Sequence, residues 1–271
     1  MKGPHLDILN AVILGIVEGL TEFLPVSSTG HLILVEGVLG VKRTAAPWNT
    51  LLWVSQLGAI LAVVVYFWRD LWRRTFHMLA AGWQNHILTK LFVAMIPTVI
   101  LALAFKKLLD PLEDSEVAVA IALIVGAGLI ELIDRRCRRE IPQKLEDVTL
   151  RQAFAIGVIQ SISMCPGVSR AGATIMGGMA LGLTPRVATE FSFYLAIPTM
   201  LAAAGKRLWD QRHALTGGDA GVVLIGSAVA FVVALLVVAA FMSYVRRYRF
   251  TPFVVYRVVL GVAVLIYYFT R

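Results

Sequence analysis

The sequence predicts an all-α polytopic membrane protein. It reads as an inverted-topology repeat of six spanning helices plus two re-entrant helix hairpins. Three observations predict this. The chain of 271 residues is 58% hydrophobic and only 15% charged, with a mean hydropathy of +0.78, where a soluble domain carries about a quarter charged residues. Six apolar runs approach the ~20 residues that a bilayer crossing needs. Two further apolar regions are broken by Pro, Gly and polar residues, the pattern of discontinuous helices. So little polar sequence remains that residues 1–271 form a single membrane domain.

In chain order, the first broken region is Leu6–Leu39. Spans follow at about Leu51–Trp68, Lys90–Phe105 and Val117–Ile133. The second broken region is Gln152–Leu183, followed by spans at Val187–Ala204, Gly221–Val245 and Pro252–Thr270. The broken regions align without gaps. Setting Gly15 on Gly157 brings Ala11 to Ala153, Glu18 to Gln160, Thr21 to Ser163, Val26 to Val168, Ser27 to Ser169 and Gly30 to Gly172. Near a slightly smaller offset, Gly126 meets Gly261. Two repeats follow, about 1–140 and 141–271, each a hairpin and three spans. Three is odd, so the second repeat enters from the opposite side.

The basic residues test this orientation. With the N-terminus outside, inner loops hold Arg69, Arg73, Arg74, Lys90, Arg135, Arg136, Arg138, Arg139, Lys144, Arg151, Arg186, Arg246, Arg247 and Arg249. The outer side holds Lys2, Lys42, Arg43, Lys106, Lys107, Lys206, Arg207, Arg212 and Arg271. The bias favours both termini outside. It also accounts for the net charge of +8 without nucleic acid as a partner. The two cysteines, Cys137 and Cys165, make neither a disulfide framework nor a thiolate metal site. The first apolar stretch lacks a cleavage signal and does not read as a signal peptide.

The first break reads "EGLTEFLPVSSTGH", Glu18 to His31. Glu18 and Glu22, four apart, share a helix face. One reading is a polar stripe at the water edge. The other is a divalent-cation site or an acid/base pair, because intramembrane acids are costly and tend to be functional. Pro25 stops the first helix, and Ser27 or Ser28 can cap the next, whose N-terminal N–H groups form an anion cradle. The second break, "PGVSRAGAT" from Pro166 to Thr174, repeats the pattern and adds Arg170. That guanidinium needs an anion or a carboxylate, either a phosphate or Glu18 or Glu22. Two helix N-termini, an arginine, two carboxylates, hydroxyls and an imidazole suit phosphoryl transfer, and a site within a membrane implies a substrate with a lipid tail.

These motifs resemble the undecaprenyl-diphosphatase, or bacitracin-resistance, family. "QLGAILAVV", "TEFSFYLAIP" and "FVVYRVV" extend the resemblance along the chain. It implies an enzyme that hydrolyses undecaprenyl diphosphate to the monophosphate carrier and phosphate for peptidoglycan synthesis. The implied setting is the bacterial inner membrane, with the site open to the periplasm. It implies that Glu18 and Glu22 hold a divalent cation, Mg²⁺ or Ca²⁺. Ser28 is the favoured nucleophile, with Ser27 and Thr29 beside it and water as the alternative. His31 would move a proton or touch phosphate, and Arg170 would hold the diphosphate, with Ser169, Gly172 and Thr174 around it. Two departures stand out: Ala171 where many relatives have serine, and Leu51, Leu52 and Trp53 before "QLG" without an acid.

A prenyl tail is expected between helices, against Trp53, Phe193 and Tyr194. Arg257, also intramembrane, is expected to pair with Glu190. A homodimer stays open. The alternative function is a polyprenyl-phosphate transporter or flippase using the same midplane site, since inverted repeats with broken helices are also transporter architecture. An anion channel is a weaker reading, because clustered acids oppose it.

Overall fold

The computed structural model describes residues 4–41, 48–77, 82–83, 85–109, 112, 115–141, 143–210 and 220–270. Of the charges counted above, Lys2, Lys42, Arg43, Arg212 and Arg271 lie outside them. Among the described residues the secondary structure is helical, with no strand. Six helices are long and apolar enough to cross a membrane: Trp48–Tyr66, Ile87–Phe105, Glu116–Cys137, Pro185–Lys206, Ala220–Tyr244 and Thr251–Thr270. They match the six expected spans to within a few residues. Leu103, Leu236 and Phe269 remain exposed on them, as expected of side chains that meet lipid rather than a protein core.

The helices run in chain order as α1 (Pro4–Thr21), α2 (Ser28–Leu39), α3 (Trp48–Tyr66), α4 (Trp68–Trp72), α5 (Ile87–Leu109) and α6 (Glu116–Cys137). Then come α7 (Leu150–Gln160), α8 (Arg170–Ala180), α9 (Pro185–Asp210), α10 (Ala220–Tyr244) and α11 (Thr251–Thr270). The two broken regions become the pairs α1–α2 and α7–α8. At about 1.5 Å per residue, α2, α7 and α8 of 12, 11 and 11 residues are each roughly half as long as a ~30 Å hydrocarbon core is thick.

Packing follows the sequence repeat. α1 lies on α10 and α7 on α5; α2 touches α11 and α8 touches α6; α3 packs on α9 and α6 on α11. The glycines that aligned in the sequence make the equivalent crossings. A methyl group at Gly15 would sit on the Gly226 carbonyl of α10, and one at Gly157 on the Ala94 carbonyl of α5, so both crossings need the bare backbone. Ser27 and Ser169, the residues before α2 and α8, have φ of 69° and 74°. Among the described residues they are the only non-glycines with positive φ, a conformation that carries strain for a side chain.

Polar contacts gather several helix ends at one face. Asp134, 1% exposed near the end of α6, accepts from the Phe250 N–H at 2.9 Å and from Arg138 at 3.1 Å. Arg74 pairs with Glu146 and, at 3.5 Å, with Glu190 on α9. Lys90 on α5 donates to the Glu146 carbonyl at 2.7 Å.

The expected Arg257–Glu190 pair does not form. Glu190 meets Arg74 at the end of the bundle, while Arg257 is fully buried in α11 and donates to five backbone carbonyls. These are Leu123 at 3.2 Å, Pro25 at 3.1 Å, Val168 at 3.2 Å, Ala122 at 3.1 Å and Gly167 at 3.1 Å. The turns at Pro25, Gly167 and Val168 leave carbonyls without helical partners, and one planar guanidinium with five N–H groups answers them while also reaching the Ala122 and Leu123 carbonyls within α6. Both hairpin tips are thereby tied to the middle of α6 and α11.

Candidate active site

The tip of the first hairpin faces the start of α8. Pro25 and the left-handed Ser27 turn the chain so that Ser28 opens α2. Glu22, just past α1, then lies beside Ser28: the Ser28 hydroxyl donates to Glu22 Oε2 at 2.9 Å. The other carboxylate oxygen, Oε1, accepts from Arg170 Nη2 at 3.3 Å. That length exceeds the 2.7–2.9 Å of a tight charge-assisted bond, so the guanidinium can turn towards a second anion at small cost.

Arg170 is the first residue of α8 and is held on several sides. Nη1 donates to the Ser192 carbonyl at 3.4 Å, Nη2 lies 3.5 Å from Met200 Sδ, and the guanidinium carbon stands 5.5 Å from the Phe23 ring centroid. Cation–π contact and the carbonyl steer the charge. Thr174, 1% exposed, bonds the Arg170 carbonyl at 2.9 Å and the Ser192 hydroxyl at 2.5 Å. It therefore braces the arginine's helix.

The two equivalent serines behave differently. Ser169 accepts from the Gly172 N–H at 3.1 Å, capping α8, and its hydroxyl lies 3.4 Å from the Leu24 carbonyl. Ser27 is buried and makes no side-chain cap. Its carbonyl instead accepts from His31 Nδ1 at 2.8 Å. So the N-terminal N–H groups of α2 are not covered by a capping side chain, next to the half-buried Ser28 and Thr29. Between the two candidate serines, Ser28 alone touches a carboxylate.

A carbonyl only accepts, so His31 Nδ1 carries a proton. In the neutral ring Nε2 is then the acceptor, and it lies 2.7 Å from the Tyr256 hydroxyl on α11, with the rings stacked at 5.4 Å. His31 stands one helical turn from Ser28, on the same side of α2. Tyr256 and Ser192 were not identified from the sequence. Tyr256 neighbours Arg257 in "VVYRVV", but nothing local signals that α11 crosses α2. If the phenol orients the imidazole, Tyr256→Phe should lower turnover about tenfold with KM nearly unchanged, as loss of one hydrogen bond allows. Steady-state phosphate release with purified variant checks this, and an unchanged kcat would remove Tyr256 from the site.

Glu18 is 1% exposed, one turn before Glu22 on α1. Among the described residues no three His, Cys, Asp or Glu side chains come together to hold an ion. The oxygens of Glu22 and its neighbouring hydroxyls fit a hard cation only as part of a shell that substrate oxygens and water complete. Two expected lipid-contacting side chains are misplaced: Phe193 and Tyr194 are fully buried within the core, because α9 packs against both α3 and α8. Trp53 is half-buried on α3.

These features define a class: a multi-pass membrane protein with an arginine–carboxylate–hydroxyl site where two broken helices meet. The chain belongs to the bacitracin resistance protein BacA family, whose model matches residues 11–263. It is also similar to several curated proteins named undecaprenyl-diphosphatase. That of Novosphingobium aromaticivorans is 48% identical over 263 residues, covering 95% of this chain and 97% of the relative. Those of Rhizorhabdus wittichii and Campylobacter jejuni are 41% and 42% identical, covering 98% and 94% of this chain and 100% and 92% of the relatives.

Proposed function

We propose that this protein hydrolyses undecaprenyl diphosphate to undecaprenyl phosphate and inorganic phosphate in the bacterial cytoplasmic membrane. This returns the lipid carrier to peptidoglycan synthesis and confers bacitracin resistance. Relatives with that name over nearly the whole chain support it. The observation that carries it is Glu22, whose two oxygens engage the Ser28 hydroxyl and the Arg170 guanidinium.

Arg170 swings from Glu22 onto the diphosphate and pairs with its oxygens, assisted by the N–H groups of α2. Ser28 Oγ attacks the terminal phosphorus as its proton passes to Glu22. The bond to the bridging oxygen breaks, and undecaprenyl phosphate leaves. Water then cleaves the phosphoserine, with Glu22 relaying the proton, and inorganic phosphate departs. His31, its Nδ1–H held by the Ser27 carbonyl, contacts phosphate or delivers a proton to the leaving oxygen through Nε2 once that nitrogen has taken up a proton from the Tyr256 side or from water. A divalent cation, Mg²⁺ or Ca²⁺, held by Glu22 and Glu18 with substrate oxygens, would supply charge neutralisation at the phosphates.

We place the first hairpin open to the periplasmic side. The excess of Lys and Arg in the loops assigned inside supports that orientation, and the paired packing of the two halves supports an inverted repeat. The assay is phosphate release from undecaprenyl diphosphate by purified protein in detergent, where transport has no meaning. Release should need Mg²⁺ or Ca²⁺, stop with chelator and return on adding metal back. A folded protein that releases no phosphate would sink the proposal.

A further inference from the structure

Outside the hairpin site, the ends of α6 and α10 and the start of α9 border an open cavity of about 790 Å³. Arg139, Lys144, Arg186, Arg246 and Arg247 line it, with Ile141 at its rim. A neighbouring cavity of about 780 Å³ shares Arg186 and Lys144 with it, but its other arginines are matched: Arg74 pairs with Glu146 and Glu190, and Arg73 with Asp70 at 2.7 Å. In the first cavity the acids are already engaged. Glu140 takes Arg138 at 3.3 Å, and Asp147 takes the Lys144 N–H at 2.7 Å. Arg139, Arg186, Arg246 and Arg247 form no ion pair among the described residues.

A topology signal needs only the number of positive charges at this end. It does not need a concave wall, and this wall is constructed. Gln143 Oε1 accepts the Thr184 N–H at 2.8 Å, fixing the loop after α6 to the start of α9. Gly182 has φ of 92°, and a Cβ there would lie 3.2 Å from the Arg139 guanidinium carbon. The N-terminus of the 26-residue α9 opens beside the arginines, adding its partial positive charge.

We infer that this basin binds the phosphate headgroup of an anionic membrane lipid. Four unpaired guanidiniums suit phosphate oxygens, and basic pockets at the ends of spanning helices hold such headgroups. Ile141, 54% exposed beside the arginines, gives an apolar rim for the start of an acyl chain, which free phosphate would not use. The site is separate from the hydrolytic one and does not depend on it.

The test titrates purified full-length protein with dioctanoyl phosphatidylglycerol, dioctanoyl phosphatidylcholine or inorganic phosphate, followed by calorimetry. Phosphatidylglycerol should bind wild type and Arg170→Ala alike, and at least tenfold more weakly in the combined variant Arg139→Gln, Arg186→Gln, Arg246→Gln and Arg247→Gln. All four side chains are exposed, so that variant should fold and release phosphate at the normal rate. Unchanged affinity in it would overturn the inference. So would equal binding of phosphatidylcholine, loss of binding in Arg170→Ala, or displacement of the lipid by inorganic phosphate at matching concentration.

Discussion

Glu22→Gln should leave a folded protein with turnover reduced about 1,000-fold or more. A positioned general base contributes roughly 10²–10⁴, and Glu22 also governs the arginine that meets the substrate. The amide is nearly isosteric and can still accept from Ser28, so geometry survives while proton uptake does not. Ser28→Ala should fall comparably. Because the 2.9 Å bond from Ser28 to Glu22 makes them one unit, the double variant should be no slower than the worse single one. Multiplicative losses would mean that serine and glutamate act in separate steps, and water would replace Ser28 as nucleophile. Trapping of radiolabelled phosphate on Ser28 during turnover gives the same answer directly.

Arg257→Ala should be the most destabilising single change in the chain. Its five carbonyl partners lie in three separated segments; those of Pro25, Gly167 and Val168 lie outside any helix, and each such buried carbonyl left without a donor costs about 1–3 kcal/mol. Losing several approaches the whole stability of an ordinary protein, about 5–15 kcal/mol. We expect failure to accumulate, or a thermal midpoint in detergent lowered by well over ten degrees. Arg257→Lys keeps the charge with three donors instead of five and should fall between. Gly126→Ala tests the same contact from α6, since a methyl there would strike Arg257 Nη2. An alanine variant as stable as wild type would show that the carbonyls find other partners, and that the arginine is dispensable.

The spans were legible because long apolar runs have few alternatives. The hairpins were legible because Pro25, Pro166 and the Ser–Gly stretches interrupt such runs with helix starts. The offset that aligned Ser27 with Ser169 even located the two strained backbone positions. The Glu22–Arg170 contact was among the readings because an intramembrane arginine has few partners. What stayed hidden depends on how distant helices cross. Arg257 was matched with a carboxylate because charge suggests charge, whereas the turns supplied unsatisfied carbonyls. Phe193 and Tyr194 looked suited to lipid contact by hydrophobicity alone, but α9 runs through the interior. Tyr256 meets His31 from 225 residues away, and no spacing rule reaches that far.

The position of Arg257 also limits how the chain can be divided. Its carbonyl partners Pro25, Ala122 and Leu123 precede residue 141, while Gly167 and Val168 follow it with the arginine itself. A fragment ending between the repeats would carry a hairpin whose keystone resides on the other piece. The alignment that pairs Gly126 with Gly261 puts Ala122 opposite Arg257, so two copies of the first half would have no keystone at all. Two copies of the second would bring two cations to one seat. Only the two unlike halves together provide one arginine for both tips.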